Sequence, residues 1–324
     1  MTRWLAAATL LLGLVPAAAP AAYAETYPTK PVRLLVPASA GGVTDLIARI
    51  AADYLSAKLR QQFVVENRTG SGGNVATEAL ARAEADGYTL GLLASGNVVI
   101  NPFIYKMQID TKADLVPVAS IAEAPQVLAV NKDVPAGSLK ELIALAKDKP
   151  NSFSYATAGV GTSMHLAGDQ FARLAGLQLV HVPYRGATPA VTDVVSGTVQ
   201  IIPVSAGPIM GFVQSGQLRV LAAASPHRLK HFPAVPTSSE AGLPGYEMTT
   251  WFGVFAPKGT PDAIVTSLHQ AMSEMLVDPV YAKRLEDNFL DLMPMSQRQF
   301  ADFVAAEFPK WEMAVRQAGV KVEY

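Results

Sequence analysis

Pro31-Val-Arg-Leu-Leu-Val-Pro-Ala-Ser-Ala-Gly-Gly42 is the stretch from which the fold is read. Val32, Leu34, Leu35 and Val36 form an extended apolar segment suited to a buried strand. After the glycine pair, Ile47, Ile50, Tyr54, Leu55 and Leu59 recur at helical spacing. Phe63-Val64-Val65 is the next strand. Gly70-Ser71-Gly72-Gly73 leads into a helix starting near Asn74, and Tyr88 to Leu93 is a third strand. Strand-helix alternation of this kind predicts an α/β fold, a parallel sheet with helices on its faces. Ligands sit at the carboxyl ends of strands in such sheets.

The same grammar restarts downstream. Val127–Val130 reads as a strand, Ser138 caps a helix through Ala146, and Phe153–Thr157 is a strand. Gly159-Val160-Gly161 precedes a helix from Thr162 to Leu174. Strand Leu179–Val182, helix Ala187–Val195 and strand Val199–Val204 follow. Trp251–Ala256 is another strand, and two or three helices anchored by Phe300, Phe303 and Phe308 end the chain. Two α/β units with a C-terminal remainder predict a chain that crosses between domains twice, near Ser120–Ala124 and Glu247–Trp251. The domains expected are 25–122 plus 252–324 and 123–251. Two independent tandem domains are the alternative.

Composition narrows the classes. The formal charge of −1, from 26 basic and 27 acidic residues, leaves no basic field for nucleic acid or anionic lipid. Residues 1–24 read as a signal peptide: Arg3 in the n-region, an apolar run Leu5–Val15, and Ala22-Tyr23-Ala24 before the cut. That run is too short to span a bilayer. The mature chain is therefore expected to be exported. With no cysteine, disulfides, thiolate catalysis, Cys-based zinc sites and an acylated N-terminal cysteine are excluded.

Three glycine-bearing turns stand before helices: Ser39-Ala40-Gly41-Gly42, Gly70-Ser71-Gly72-Gly73-Asn74, and Gly159-Val160-Gly161-Thr162-Ser163. Helix N-termini expose unpaired amides and partial positive charge, so they take a carboxylate or phosphate without a lysine. Ordinary helix capping is the alternative for any one of them. No Gly-Lys-Ser/Thr or GxGxxG pattern supports a nucleotide, and Asp45 would repel a phosphate dianion; its other role is N-terminal dipole placement. Neither a GxSxG elbow nor an HExxH helix is present, and no metal site or cofactor is expected. His227 and His231 have i, i+4 spacing, but Arg228 and Lys230 between them disfavour a cation. His165 either faces the cleft or packs. Tyr184 and Arg185, after His181-Val182-Pro183, could reach a carboxylate, although a surface ion pair explains Arg185 equally well.

Taken in order, these motifs resemble the Bug-type, TctC-like receptors of tripartite tricarboxylate transporters. The resemblance rests on Tyr27–Arg33, Pro37–Gly42 with Asp45, Val65–Gly73, Ala85–Leu90, Gly159–Ser163, His181–Gly186, Pro236-Thr237 with Glu240–Gly242, and Trp251–Pro261. It implies a clamp-like, type II periplasmic binding protein of two domains, a monomer that closes on an organic anion and delivers it to membrane permease subunits. It also implies that Ser39–Gly42, Gly70–Asn74, Ser95-Gly96-Asn97 and Gly159–Ser163 line the pocket, with ordered water bridging the solute carboxylate to the first-domain turns. Where many relatives carry Asp after the strand beginning at Val199, this chain has Val204, followed by Ser205. That weakens an amino-acid ligand and leaves mono-, di- or aromatic carboxylates. The competing classes are a hydrolase on the same scaffold, which needs a base beside a nucleophile, and a sensory receptor using the same closure.

Overall fold

The computed structural model describes residues 27–184 and 186–319; the cleavage site after Ala24 and Arg185 lie outside them. The first half contains β1 (Val32–Val36), α1 (Val43–Leu59), β2 (Phe63–Asn67), α2 (Asn74–Ala81) and β3 (Thr89–Ala94). β1 lies between β2 and β3, parallel to both, with Leu34 opposite Val65 and Leu90. α1 lays Ile47, Ile50, Ala51 and Leu55 against this sheet, the face read from the sequence. Each large apolar side chain so buried contributes about 1.5–3 kcal/mol.

After β3 come a wide π-helical turn, Gly96–Ile100, and a tight 3-10 turn, Asn101–Phe103, then α3 (Thr111–Asp114) and β4 (Leu115–Asn131). The second half follows with α4 (Leu139–Asp148), β5 (Ser154–Thr157), α5 (Ser163–Ala175), β6 (Val180–Pro183), α6 (Ala187–Val195), β7 (Ile201–Ser205), α7 (Met210–Gln214) and β8 (Leu218–Ala223). The chain returns through β9 (Thr249–Pro257) to α8 (Asp262–Val277), α9 (Pro279–Glu286), β10 (Asp291–Leu292) and α10 (Gln297–Ala318).

β4 belongs to both halves. From Leu115 to Pro125 it runs antiparallel to β9, ending with Pro125 opposite Thr249. From Gln126 onward its partners are β7 and β8, with Gln126 opposite Ser205 and Val127 opposite Ala223. The change of partner thus falls inside a continuous strand, where the sequence suggests a crossing slightly earlier. The sheet is also mixed: β5 pairs parallel with β6 and β7, but β3–β9, β4–β7, β4–β8 and β4–β9 are antiparallel. A chain that crosses back must run strands in both senses, which alternation alone does not reveal.

α10 clamps this arrangement from one side. Ser296 and Gln299 form a reciprocal capping box at its start. Phe300 and Phe308 are buried, and Phe303 packs edge-on against Trp251. Glu307, itself buried, accepts from the indole N–H groups of Trp251 (3.0 Å) and Trp311 (2.7 Å) and from Lys310 Nζ (2.9 Å). The helix is thereby hydrogen-bonded to the strand that returns from the second half. Among the described residues, no helix is long and apolar enough to cross a membrane.

Candidate ligand cleft

The turn after β1 is built on Asp45. Its side chain, 2% exposed, accepts from the Gly41 amide, Arg49 Nε and Asn67 Nδ2, each at 2.9 Å. Burial by itself raises a carboxyl pKa, but the bonds from Arg49, Gly41 and Asn67 and the Arg49 charge outweigh it and hold Asp45 below its ordinary value. Asn67 Nδ2 also donates to the Ala38 carbonyl at 2.9 Å, tying the end of β2 to the same turn. Asp45 is therefore an internal lock, and the Gly41 amide is committed to it. The first helical bond of α1 runs from the Leu46 amide to the Gly42 carbonyl, so the amides left without helical partners are the next ones, Val43, Thr44 and Asp45.

The second turn seats against the first. Gly73 has φ +95°, and a side chain there would strike Asn97 Nδ2 and approach Pro37 Cβ to 2.8 Å. The Gly73 amide donates to the Gly70 carbonyl at 2.8 Å. The Gly72 carbonyl accepts from both Asn97 Nδ2 and Asn101 Nδ2 at 3.0 Å, and Asn101 also donates to Asn74 Oδ1 at 2.6 Å. Pro37, Gly72-Gly73 and Asn97 thus meet at the carboxyl ends of β1, β2 and β3. Ser39, Ala40, Gly41, Gly42, Gly70, Ser71 and Gly72 are exposed, whereas Asn74 and Asn97 are buried and Gly96 is half-buried. Ser95, with no exposed surface, has a hydroxyl with no partner among the described residues. A buried hydroxyl in that condition calls for a water or ligand atom.

From the second half comes the turn after β5. Thr162 caps α5: its hydroxyl accepts from the His165 amide (3.3 Å) and donates to the Gly159 carbonyl (2.8 Å). His165 Nδ1 accepts from the Gly161 amide at 3.2 Å, so the hydrogen of the neutral ring sits on Nε2. Its ring stacks on His181 at 4.0 Å between centroids, and His181 stacks on Tyr155 at 5.0 Å. Burial pushes both histidines down to about 4, helped for His181 by His165 beside it. Ser163 accepts from Thr250 Oγ1 at 2.9 Å, joining α5 to the first strand residues that return to the other half.

Two assigned residues are placed elsewhere. Tyr184 donates its hydroxyl to Asp193 on α6 at 2.6 Å, so it serves that helix instead of reaching outward. Val204, 1% exposed, packs with Val127, Ala129, Val199 and Ile202 in the second-half core. Ser205 lies on the opposite face of β7, directly across from Gln126. Gln126, 1% exposed, carries a buried Oε1 without a partner among the described residues, at the point where β4 changes partners. Gln126, Asn101, Tyr105 and Thr250 belong to no local motif, and sequence reasoning missed them. Asn101 and Tyr105 follow a loop that was assigned, at a distance their own neighbours do not signal.

Carboxyl-end loops of the two halves thus meet at Tyr105, and the architecture is that of a two-domain periplasmic binding protein. The chain belongs to the tripartite tricarboxylate transporter family of receptors, whose model matches residues 47–320. It is 36% identical over 329 residues to protein BugT of Bordetella pertussis, covering 100% of this chain and 99% of that one. Among solved structures, an R. palustris protein with adipate superposes with a TM-score of 0.86 at 34% identity, covering 91% of this chain and 100% of that one. MatC from Rhodopseudomonas palustris with bound malate gives 0.82 at 30% identity, covering 89% and 100%.

Proposed function

We propose that this receptor captures a small organic carboxylate in the cleft, closes on it, and presents it to membrane permease subunits. The moving parts are residues 25–122 plus 252–324 and residues 123–251, with β4 and β9 as the hinge. The observation that carries the reading is that loops at strand ends of the two halves meet across Tyr105, which lies against Gly72 and Gly161 and bonds to the Val160 carbonyl. Apart from Arg185, none of the residues assigned to the cleft is cationic. An anion there is held by fixed amide dipoles and hydroxyls, which lose no hydration of their own charge on binding. The free α1 and α5 amides supply this better than the Gly41 and Gly73 amides, which are already bonded internally. The adipate and malate of the two structural relatives favour a dicarboxylate, one carboxylate at each set of helix starts. Binding without turnover is the reading motivated by the lack of a GxSxG elbow or an HExxH helix in the sequence, and export the one motivated by the signal-peptide pattern of residues 1–24.

The deciding experiment is a thermal-shift screen of the mature chain against malate, succinate, adipate, acetate and benzoate. A ligand at 100 times its Kd stabilises the native state by about 2.7 kcal/mol. A clear rise with at least one dicarboxylate is expected. A flat response to the whole panel defeats the carboxylate reading, and recovery of chemically altered ligand defeats the claim of binding alone.

A further inference from the structure

Tyr105 spans the cleft. It follows the Asn101–Phe103 turn of the first half, and its amide donates to the Asn101 carbonyl at 2.8 Å. The Asn101 side chain in turn holds the Gly72 carbonyl. The tyrosine hydroxyl crosses to the second half and donates to the Val160 carbonyl at 3.0 Å. Between these ends the ring fills space that two glycines leave open. A Cβ at Gly72 would come within 2.9 Å of Tyr105 Oη, and one at Gly161 within 3.2 Å of its Cε2. Both glycines have positive φ, at +64° and +81°, and they belong to different halves. Each is buttressed behind the ring: Gly72 by Asn97 and Asn101, Gly161 by His165.

We infer that Tyr105 is a positioning residue that latches the cleft shut and sets its width, without touching the ligand. This rests on the carboxylate-binding reading above. The bond to Val160 joins the two halves, so it forms only when they are together and weights the closed state. Ligand affinity scales with the population of the binding-competent state. Removing the hydroxyl therefore opens the ligand-free clamp and speeds release. The ring is a separate matter: its thickness fixes the Gly72–Gly161 gap, and with it the ligand length that closure tolerates.

The absence of cysteines makes the test clean, because Gln62→Cys and Lys140→Cys, both exposed, can carry spin labels on opposite halves. In Tyr105→Phe the ligand-free distance distribution should shift toward open forms while the melting temperature stays at the wild-type value. With whichever panel dicarboxylate stabilises wild type, release should be faster by roughly fivefold, the worth of one net hydrogen bond. Tyr105→Ala should release faster still and discriminate less between malate and adipate, with Phe restoring the discrimination. Coincident distance distributions and release rates for wild type and Tyr105→Phe overturn the latch. So does a melting temperature that falls in step with the release rate, which marks a merely structural contact. If no carboxylate stabilises wild type, the binding reading fails, yet the ligand-free distances still decide the latch.

Discussion

On the first half, the turn after β1 is fixed by an ionised carboxylate, Asp45, accepting from a backbone amide, an amide side chain and a guanidinium. On the second half, the turn after β5 is fixed by a neutral imidazole, His165, accepting from one backbone amide inside an aromatic stack. Both devices remove a glycine amide from the pool available to an anion, Gly41 in one case and Gly161 in the other. The ligand must then be met by the amides beyond them and by hydroxyls. The two locks also answer acid differently, since one depends on a charge being present and the other on a charge being absent.

That difference is open to a pH titration, which carries the largest expected effect. His165 and His181 titrate near 4 in the folded chain against about 6.5 unfolded. Between those values the unfolded chain binds protons that the folded chain refuses, so stability falls as pH drops from about 6.5 toward 4. The slope reaches up to about 1.4 kcal/mol per pH unit for each histidine. Asp45 works in another window: its contribution is intact above about 4, its unfolded pKa, and is lost only as pH falls through its lowered folded value. Urea unfolding at steps from pH 7.5 to 3.5 should show the histidine slope first. Replacing both histidines by Gln should flatten it; a slope that survives assigns the acid sensitivity to other groups.

Next in size is Gly73→Val. Positive φ, the Asn97 side chain and Pro37 all oppose a side chain there. Strain and overpacking together should cost about 3–5 kcal/mol in urea unfolding. Gly41→Ala is the contrasting case, with φ +84° but no atom within 4 Å of its Cβ, so strain alone remains, at about 1–2 kcal/mol. Equal losses at the two glycines would show that the seat of Gly73 against Pro37 and Asn97 does not matter. Asp45→Asn comes between them, at about 2–3 kcal/mol, because charge-assisted bonds are weakened while the shape is kept.

What the sequence disclosed follows the range of the interactions. The glycine turns, the Ser138 cap and the faces of α1 and α10 depend on residues a few positions apart, and they are legible. β4 is only half legible. Pro117 and Pro125 argue against one long strand, yet the first sits at a register shift and the second where the partners change. The mixed sheet and the Tyr105–Val160 bond depend on segments brought together only by the double crossing, and the Asn67–Asp45 bond depends on the docking of β2 beside β1 and α1. Asp45 shows the boundary most clearly. Its position in the first turn of α1 and its bond to Gly41, four residues away, are local facts, but its hold on Asn67 is tertiary.

The smallest effect separates the roles of two adjacent hydroxyls. Thr162 spends its hydroxyl inside the turn, accepting from the His165 amide and donating to the Gly159 carbonyl. Ser163 accepts from Thr250, and its own proton is uncommitted among the described residues. Thr162→Ala should therefore cost about 1 kcal/mol of stability, as caps do, and Thr162→Ser should restore it. Any loss of ligand affinity in Thr162→Ala should be secondary to the loosened turn and should also recover in the serine variant. Ser163→Ala should reverse the pattern, with stability changed by less than that and ligand binding weakened about fivefold through one lost donor. Urea unfolding and ligand titration on the three variants separate the outcomes. If Thr162→Ala weakens binding with no change in stability, its hydroxyl must leave Gly159 for the ligand on closure, and the second-half turn is less rigid than its histidine lock implies.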